Sequence, residues 1–186
     1  RDSTAREYVV LEIGSGERYT LHREQSVKGF APLPAACTAG ASASYLKYVA
    51  GWPLVCVHDL STGAEVVVNP GRHEDLTDVD DAPAFSPSGR LVAFNSSAAD
   101  LRERHLYTYD LVTNELRRRS FAAGATGAKA WLSDDRLVFV ESEASSGAAL
   151  RWLDLGGPQT RPRTAGRGAL PTAVTLEGPD GPVPAD

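Results

Sequence analysis

The sequence predicts an all-β fold in which one four-stranded unit recurs along the chain. Two observations carry that expectation. An acidic residue followed by an aliphatic one returns at Glu12-Ile13, Asp59-Leu60, Asp110-Leu111 and Asp154-Leu155, with spacings of 47, 51 and 44 residues. Between these points, strand-forming apolar runs alternate with short turns rich in Gly, Pro, Ser and Asp. A unit of roughly 40–50 residues made of four short strands is the mark of a β-propeller blade, since blades stack face to face and bury both faces of their inner strands. A β-sandwich is the competing reading, but its strands need not repeat two turn chemistries in register.

The clearest unit begins at residue 82. Ser86-Pro87-Ser88-Gly89 has the residues of a type I turn, with Ser first, Pro supplying its fixed φ and Gly last. Leu91-Val92-Ala93-Phe94 follows as an apolar strand covered on both faces. A polar loop from Ser96 to Arg104 leads to His105–Leu111, a third strand, and Val112-Thr113-Asn114-Glu115 turns the chain into a fourth, Leu116 to Phe121. Four positions after the recurring acid stand Gly16, Gly63 and Asn114, residue types that tolerate positive φ. The acid itself can accept backbone N–H bonds from the turn, which gives its recurrence a structural cause. In the fourth copy Pro158 takes that position, so a different turn is expected there.

The first hairpin repeats too. Ala130–Val140 aligns with Ala84–Phe94 and shares Arg-Leu-Val with it, and Tyr45–Val49 leads through Gly51-Trp52-Pro53 into Leu54–Val57 as a second-unit counterpart. The expected blades are 34–70, 82–121 and 128–164, with 7–22 giving only outer strands and Leu170–Leu176 offering an inner strand to complete them. The domain therefore spans 1–176, and 177–186 reads as a flexible tail. About four blades lie at the low end of the known range, so the chain is a small propeller, part of a larger one, or a partial ring completed by a second chain.

The stretch PAFSPSGRLVAFNSS followed by HLYTYDLVTNEL resembles the repeat of TolB-like propellers, also found in the propeller domains of prolyl-oligopeptidase-like proteins. That repeat reads Pro-x-aromatic-Ser-Pro-Asp-Gly-basic-x-Ile/Val-Ala-Phe, then Ile/Leu-Tyr-x-x-Asp-Leu. Residues 83–111 match nearly throughout, with Ser88 where Asp is usual; 129–155 match without the Pro and Gly of the turn. Residues 45–63 match weakly, and 8–20 match only the last hairpin. The resemblance implies a fold and not an activity. A prolyl-oligopeptidase-like origin would place the catalytic domain outside this sequence.

Composition narrows the function. The 186 residues are 42% hydrophobic, enough for a substantial core, and carry a net charge of −5. That balance argues against a nucleic-acid role, which needs a basic surface. No run approaches the roughly 20 apolar residues of a membrane-spanning helix. Sixteen of the 19 basic residues are arginine, which with abundant Ala and Gly reads as the codon bias of a GC-rich bacterial genome. The chain starts at Arg1 and contains no methionine, so residue 1 is not expected to be a native start, and a preceding leader, anchor or domain stays open. Cys37 and Cys56 leave two readings, a disulfide in an exported (periplasmic, secreted or extracytoplasmic) protein or two buried thiols in a cytoplasmic one. A missing start is compatible with export and favours the disulfide.

Candidate site residues are few. His73, Asp78, Asp80 and Asp81 form the strongest charged cluster, just before an inner strand, where loops commonly rim a propeller channel. A cation or basic ligand would suit it, but the spacing is not that of an EF-hand and a solvated acidic loop is the simpler reading. His22, His58, His73 and His105 are scattered, so no metal and no cofactor is expected. No Gly-x-Ser-x-Gly elbow occurs and no catalytic residue stands out. Arg117-Arg118-Arg119 has the charge to grip an anion, though on an outer strand it reads as a solvated edge that discourages aggregation. Trp52, Trp131 and Trp152 read as packing residues before sugar-stacking ones.

These features point to a non-catalytic binding scaffold whose channel-rim loops hold a protein or peptide partner. The alternative is a propeller that belongs to, or itself acts as, a hydrolase or lyase on a peptide, sugar or lactone. A purely structural or homo-oligomerising module is the third reading.

Overall fold

The computed structural model describes residues 5–25, 36–49, 52–68, 82–100, 102–143, 147–156, 163–164, 177–178 and 181–182, and the account below concerns those residues. They form strands, turns and connections, with no helix among them. Sheet I pairs β1 (Ala5–Leu11) with β2 (Arg18–Gln25). Sheet II is a four-stranded antiparallel meander of β3 (Ala36–Ala39), β4 (Ser42–Val49), β5 (Trp52–Asp59) and β6 (Glu65–Val67). Sheet III repeats it with β7 (Ala84–Phe85), β8 (Leu91–Ser96), β9 (His105–Asp110) and β10 (Glu115–Arg118). Sheet IV does so again with β11 (Ala125–Ser133), β12 (Arg136–Glu143), β13 (Gly147–Asp154) and β14 (Arg163–Thr164). A small hairpin, β15 (Glu177–Gly178) with β16 (Gly181–Pro182), lies in the segment expected as a tail. The expected closing strand at 170–176 lies outside the described residues.

The turns behave as their residues dictate. Gly16, Gly63 and Asn114 all have positive φ, at 73°, 75° and 57°. The Asp59 carboxylate accepts the Ser61 and Thr62 amides at 2.8 and 3.2 Å, and Asp110 accepts those of Val112 and Thr113 at 2.9 and 3.2 Å. At the first hairpin of sheet III the Gly89 amide donates to the Ser86 carbonyl at 2.8 Å, closing the expected turn.

Each sheet has a front face toward the preceding sheet and a back face toward the next. Period-two alternation makes this visible in adjacent residues. On β5, Cys56 faces front and packs with Tyr8 and Tyr45, whereas Val55 and Val57 face back and pack with Val92, Phe94 and Tyr107 of sheet III. On β8, Val92 and Phe94 face front, and Ala93 faces back into a cluster with Leu106, Leu137, Phe139 and Leu153. The core is thus three layers between four sheets. Because the inner strands serve two layers, β8 is buried along nearly its whole length. The first strands of successive sheets adjoin, β3 beside β7 and β7 beside β11.

Two sequence expectations need correction. Tyr45–Val49 belongs to the second strand of sheet II; the first is Ala36–Ala39. The shared Arg-Leu-Val does not keep register either. Leu91 pairs with Asp110, but Arg136 pairs with Asp154, so Val92 faces front in sheet III while Leu137 takes that face in sheet IV. A shift between Trp131 and Ser133 in the β11–β12 pairing accompanies this one-residue slip. The Cys37 side chain lies outside the described residues, and with it the disulfide expected between Cys37 and Cys56. Cys56 is fully buried, and burial pushes its thiol pKa up to about 12.

Candidate functional site

A cleft of about 530 Å³ opens between sheets III and IV at the end that carries the strand-one-to-two and strand-three-to-four turns. Its sheet III wall carries Thr108, Asp110, Glu115, Arg117 and Arg119 from β9, β10 and the residue after it, with Arg90 from just before β8. The turns of sheet IV close the other side with Asp134 and Asp135.

The charges in this cleft are ordered by one another. Arg90 reaches from the start of β8 to the end of β9 and donates from Nε and Nη2 to one Asp110 oxygen, at 3.0 and 2.6 Å. That bond, aided by the Val112 and Thr113 amides on the other oxygen, holds the Asp110 carboxyl down at about 2. Arg117 donates to Glu115 at 2.7 Å, which lowers the Glu115 pKa. Asp134 crosses the cleft and accepts the Ser88 amide at 2.8 Å, a bond that ties the sheets together and lowers its own pKa. Arg119 is half-buried and donates from Nε to the Thr108 hydroxyl at 2.7 Å; burial, then the neighbouring Arg117, depress its basicity.

Sheets I and II enclose a counterpart of similar volume, about 530 Å³, at the same end. Glu12 takes the place of Asp110 there, and Glu17 that of Glu115, but Tyr19 stands where sheet III has Arg117. The wedge belongs to the stacking of sheets, and the arginines are what set the III–IV cleft apart.

At the opposite end, a buried polar chain joins the loop before β9 to the connection after β10. Glu103 Oε2 lies 3.0 Å from His105 Nε2, and His105 Nδ1 lies 3.3 Å from Ser120 Oγ. The residue types are those of a nucleophilic triad. Ser120 is nevertheless fully buried, and its oxygen accepts the Leu106 amide at 2.9 Å, so the hydroxyl serves as a strut. Nearby, Thr126 donates to Asn95 at 2.9 Å and Asn95 donates to the Gly127 carbonyl at 3.2 Å, a second tie between sheets III and IV.

The sequence-derived candidates His73, Asp78, Asp80 and Asp81 lie outside the described residues. Among the described residues no group of three His, Cys, Asp or Glu side chains converges to hold a metal ion, and no helix is long and apolar enough to cross a membrane. Arg118 stacks over Phe121 at 4.6 Å, and Arg136 over Trp152 at 5.1 Å. Of the arginine run, Arg117 and Arg119 face the cleft. A signal for the Arg90–Asp110 pair was present in the sequence: Arg136 donates to Asp154 at 2.8 Å, so both units place Arg at the start of strand two and the turn acid at the end of strand three.

No protein-family model matches the chain, and no curated protein matches it. Solved structures do. The chain is similar to TolB from Acinetobacter baumannii, with a TM-score of 0.54 and 18% identity over 84% of this chain and 37% of that one. It is similar to Porphyromonas gingivalis dipeptidyl peptidase 4, with a TM-score of 0.63 and 16% identity over 86% of this chain and 22% of that one. The β-propeller domain of the Trilobed protease from Pyrococcus furiosus, described as having an open velcro topology, gives a TM-score of 0.53 and 14% identity over 73% and 44%. The chain spans less than half the length of each. At these identities the likeness is one of fold: the chain is all-β and similar to part of a β-propeller.

Proposed function

We propose that this partial propeller is a non-catalytic scaffold that binds a protein or peptide partner through its loops, and that the III–IV cleft supplies contacts. The observation that supports this reading is the fixed pairing of the cleft's charges. Asp110, Glu115 and Asp134 all have depressed pKa values, so they stay ionised near neutral pH. A general acid or base needs a pKa near the working pH, and the pairing moves these groups away from it. What they offer instead is a wall of oriented donors and acceptors held by rigid sheets, which suits hydrogen bonding to an extended peptide at low ordering cost.

The test is a peptide array probed with the purified chain and with an Arg117→Ala/Arg119→Ala variant. Enrichment of a peptide class that the variant loses, with an unchanged circular dichroism spectrum, supports the reading. Equal binding by both proteins removes the cleft from it. Turnover of a chromogenic peptide, glycoside or lactone by the purified chain would favour the hydrolase or lyase alternative.

A further inference from the structure

The outer strands of sheets II and III share a register but differ in what they carry. Val57 pairs with Val66 as Thr108 pairs with Arg117. Just beyond, the Val68 amide donates to the Val55 carbonyl at 2.9 Å, and the Arg119 amide donates to the Leu106 carbonyl at 2.7 Å. Thr108, Arg117 and Arg119 therefore stand where sheet II has Val57, Val66 and Val68. Val57 and Val68 are core residues of the II–III layer, 4% and 1% exposed. Valine meets the packing need at such a position, and a guanidinium costs far more to take from water. The III–IV layer nevertheless holds Arg119 there, half-buried, with Arg117 beside it in the cleft.

Building on the peptide-binding reading of the cleft, we propose that Arg117 and Arg119 together take one carboxylate of the bound peptide. Residues two apart in an extended chain are about 7 Å from each other, which lets two guanidinium forks share one anion. Among the described residues, three arginines meet two carboxylates on the sheet III wall. Arg90 is engaged by Asp110, and Glu115 holds Arg117 in a solvent-exposed pair, 48% and 55% exposed. Such a pair is worth little in water, so Arg117 can exchange it for a ligand carboxylate. Burial and the neighbouring Arg117 both weigh against the charge on Arg119, and an arriving anion relieves that penalty. The facing wall sets the charge limit. Asp134 accepts the Ser88 amide at 2.8 Å and Asp135 the Ser133 hydroxyl at 2.6 Å. Two carboxylates there weigh against a phosphate dianion and leave a single negative charge as the better fit.

Immobilised nonapeptide pools test this. Each is acetylated and amidated, with Glu, Gln, Lys or phosphoserine at the centre and mixed uncharged residues elsewhere; one further Gln pool keeps a free C-terminal carboxylate. The purified 186-residue chain is expected to bind the Glu pool or the free-terminus pool at least about tenfold better than the amidated Gln pool, the scale of one charge-assisted hydrogen bond. The first result assigns a side-chain carboxylate and the second a chain end. Arg119→Val, the residue type of sheet II, is expected to lose the preference while keeping or raising the urea midpoint. Arg117→Val changes an exposed residue and is expected to lose it with a wild-type circular dichroism spectrum. A preference kept by either variant overturns the proposal, and a lowered midpoint in Arg119→Val overturns it by marking Arg119 as a structural tie. Equal binding of the Glu and Gln pools, or a preference for Lys or phosphoserine, overturns the carboxylate and leaves peptide binding standing. Binding to no pool overturns the peptide-binding reading and this inference with it.

Discussion

The indole of Trp131, on the first strand of sheet IV, donates from Nε1 to the backbone carbonyl of Ala84, on the first strand of sheet III, at 2.9 Å. The bond joins neighbouring sheets at their inner strands, where Trp131 also packs against the III–IV core. An aromatic before the turn recurs in both units, but only indole carries a donor that can make this tie.

Trp131→Phe keeps a ring and removes that donor. The variant is expected to lose about 1 kcal/mol, the usual worth of such a bond. Urea denaturation measures it; an unchanged midpoint would show that the bond does not contribute.

Gly124 and Gly63 separate two reasons for glycine. At Gly124, φ is 141° and an added Cβ would stand 2.1 Å from the Ser142 carbonyl oxygen. Gly124→Ala is therefore expected to cost on the order of 3–5 kcal/mol or to prevent folding. Gly63 has φ of 75° and open space around it, and Asn114 fills the same role in sheet III. Gly63→Asn is expected to fall within about 0.5 kcal/mol of wild type. Comparable losses in the two variants would contradict the geometry.

Acid should weaken the turns. Asp59, through the Ser61 hydroxyl and amide, and Asp110, through Arg90, are both held at about 2. Their unfolded values lie near the ordinary carboxylate pKa of about 4. The stability they contribute is fully present above that value and is lost as pH falls from about 4 toward 2. Asp110→Asn is expected to be less stable than wild type at pH 6 and to lose less of its urea midpoint on acidification. Parallel decline of both proteins would remove Asp110 as a cause.

Cys56, buried and with its pKa at about 12, should resist alkylation in the folded state. In a Cys37→Ser background, iodoacetamide is expected to label Cys56 only in denaturant. Rapid labelling of the native protein would mean that the I–II layer is not closed.

The turns were the most legible part of the fold, because positive φ and carboxylate capping demand particular residue types at particular offsets. The acid at 59 and 110 and the Gly or Asn four residues on carry that information alone. Register was less legible. Arg-Leu-Val occurs in sheets III and IV, yet a one-residue slip turns Val92 and Val138 to opposite faces, and apolar residues suit either face of a sheet buried on both sides. The cleft was least legible, since Arg90 and Arg119 gain meaning only from the strand that lies beside theirs. Charge density drew attention to residues 73–81 instead, and they lie outside the described residues.

The stacking of near-equivalent sheets is tested most directly at Val92 and Ala93, which are neighbours in the chain but face different sheets. In a methyl-labelled sample, nuclear Overhauser effects are expected from Val92 to Val55 or Val57 of sheet II, and from Ala93 to Leu137 or Leu153 of sheet IV. Effects from both residues to one and the same sheet, or none beyond sheet III, would contradict the arrangement on which the cleft rests.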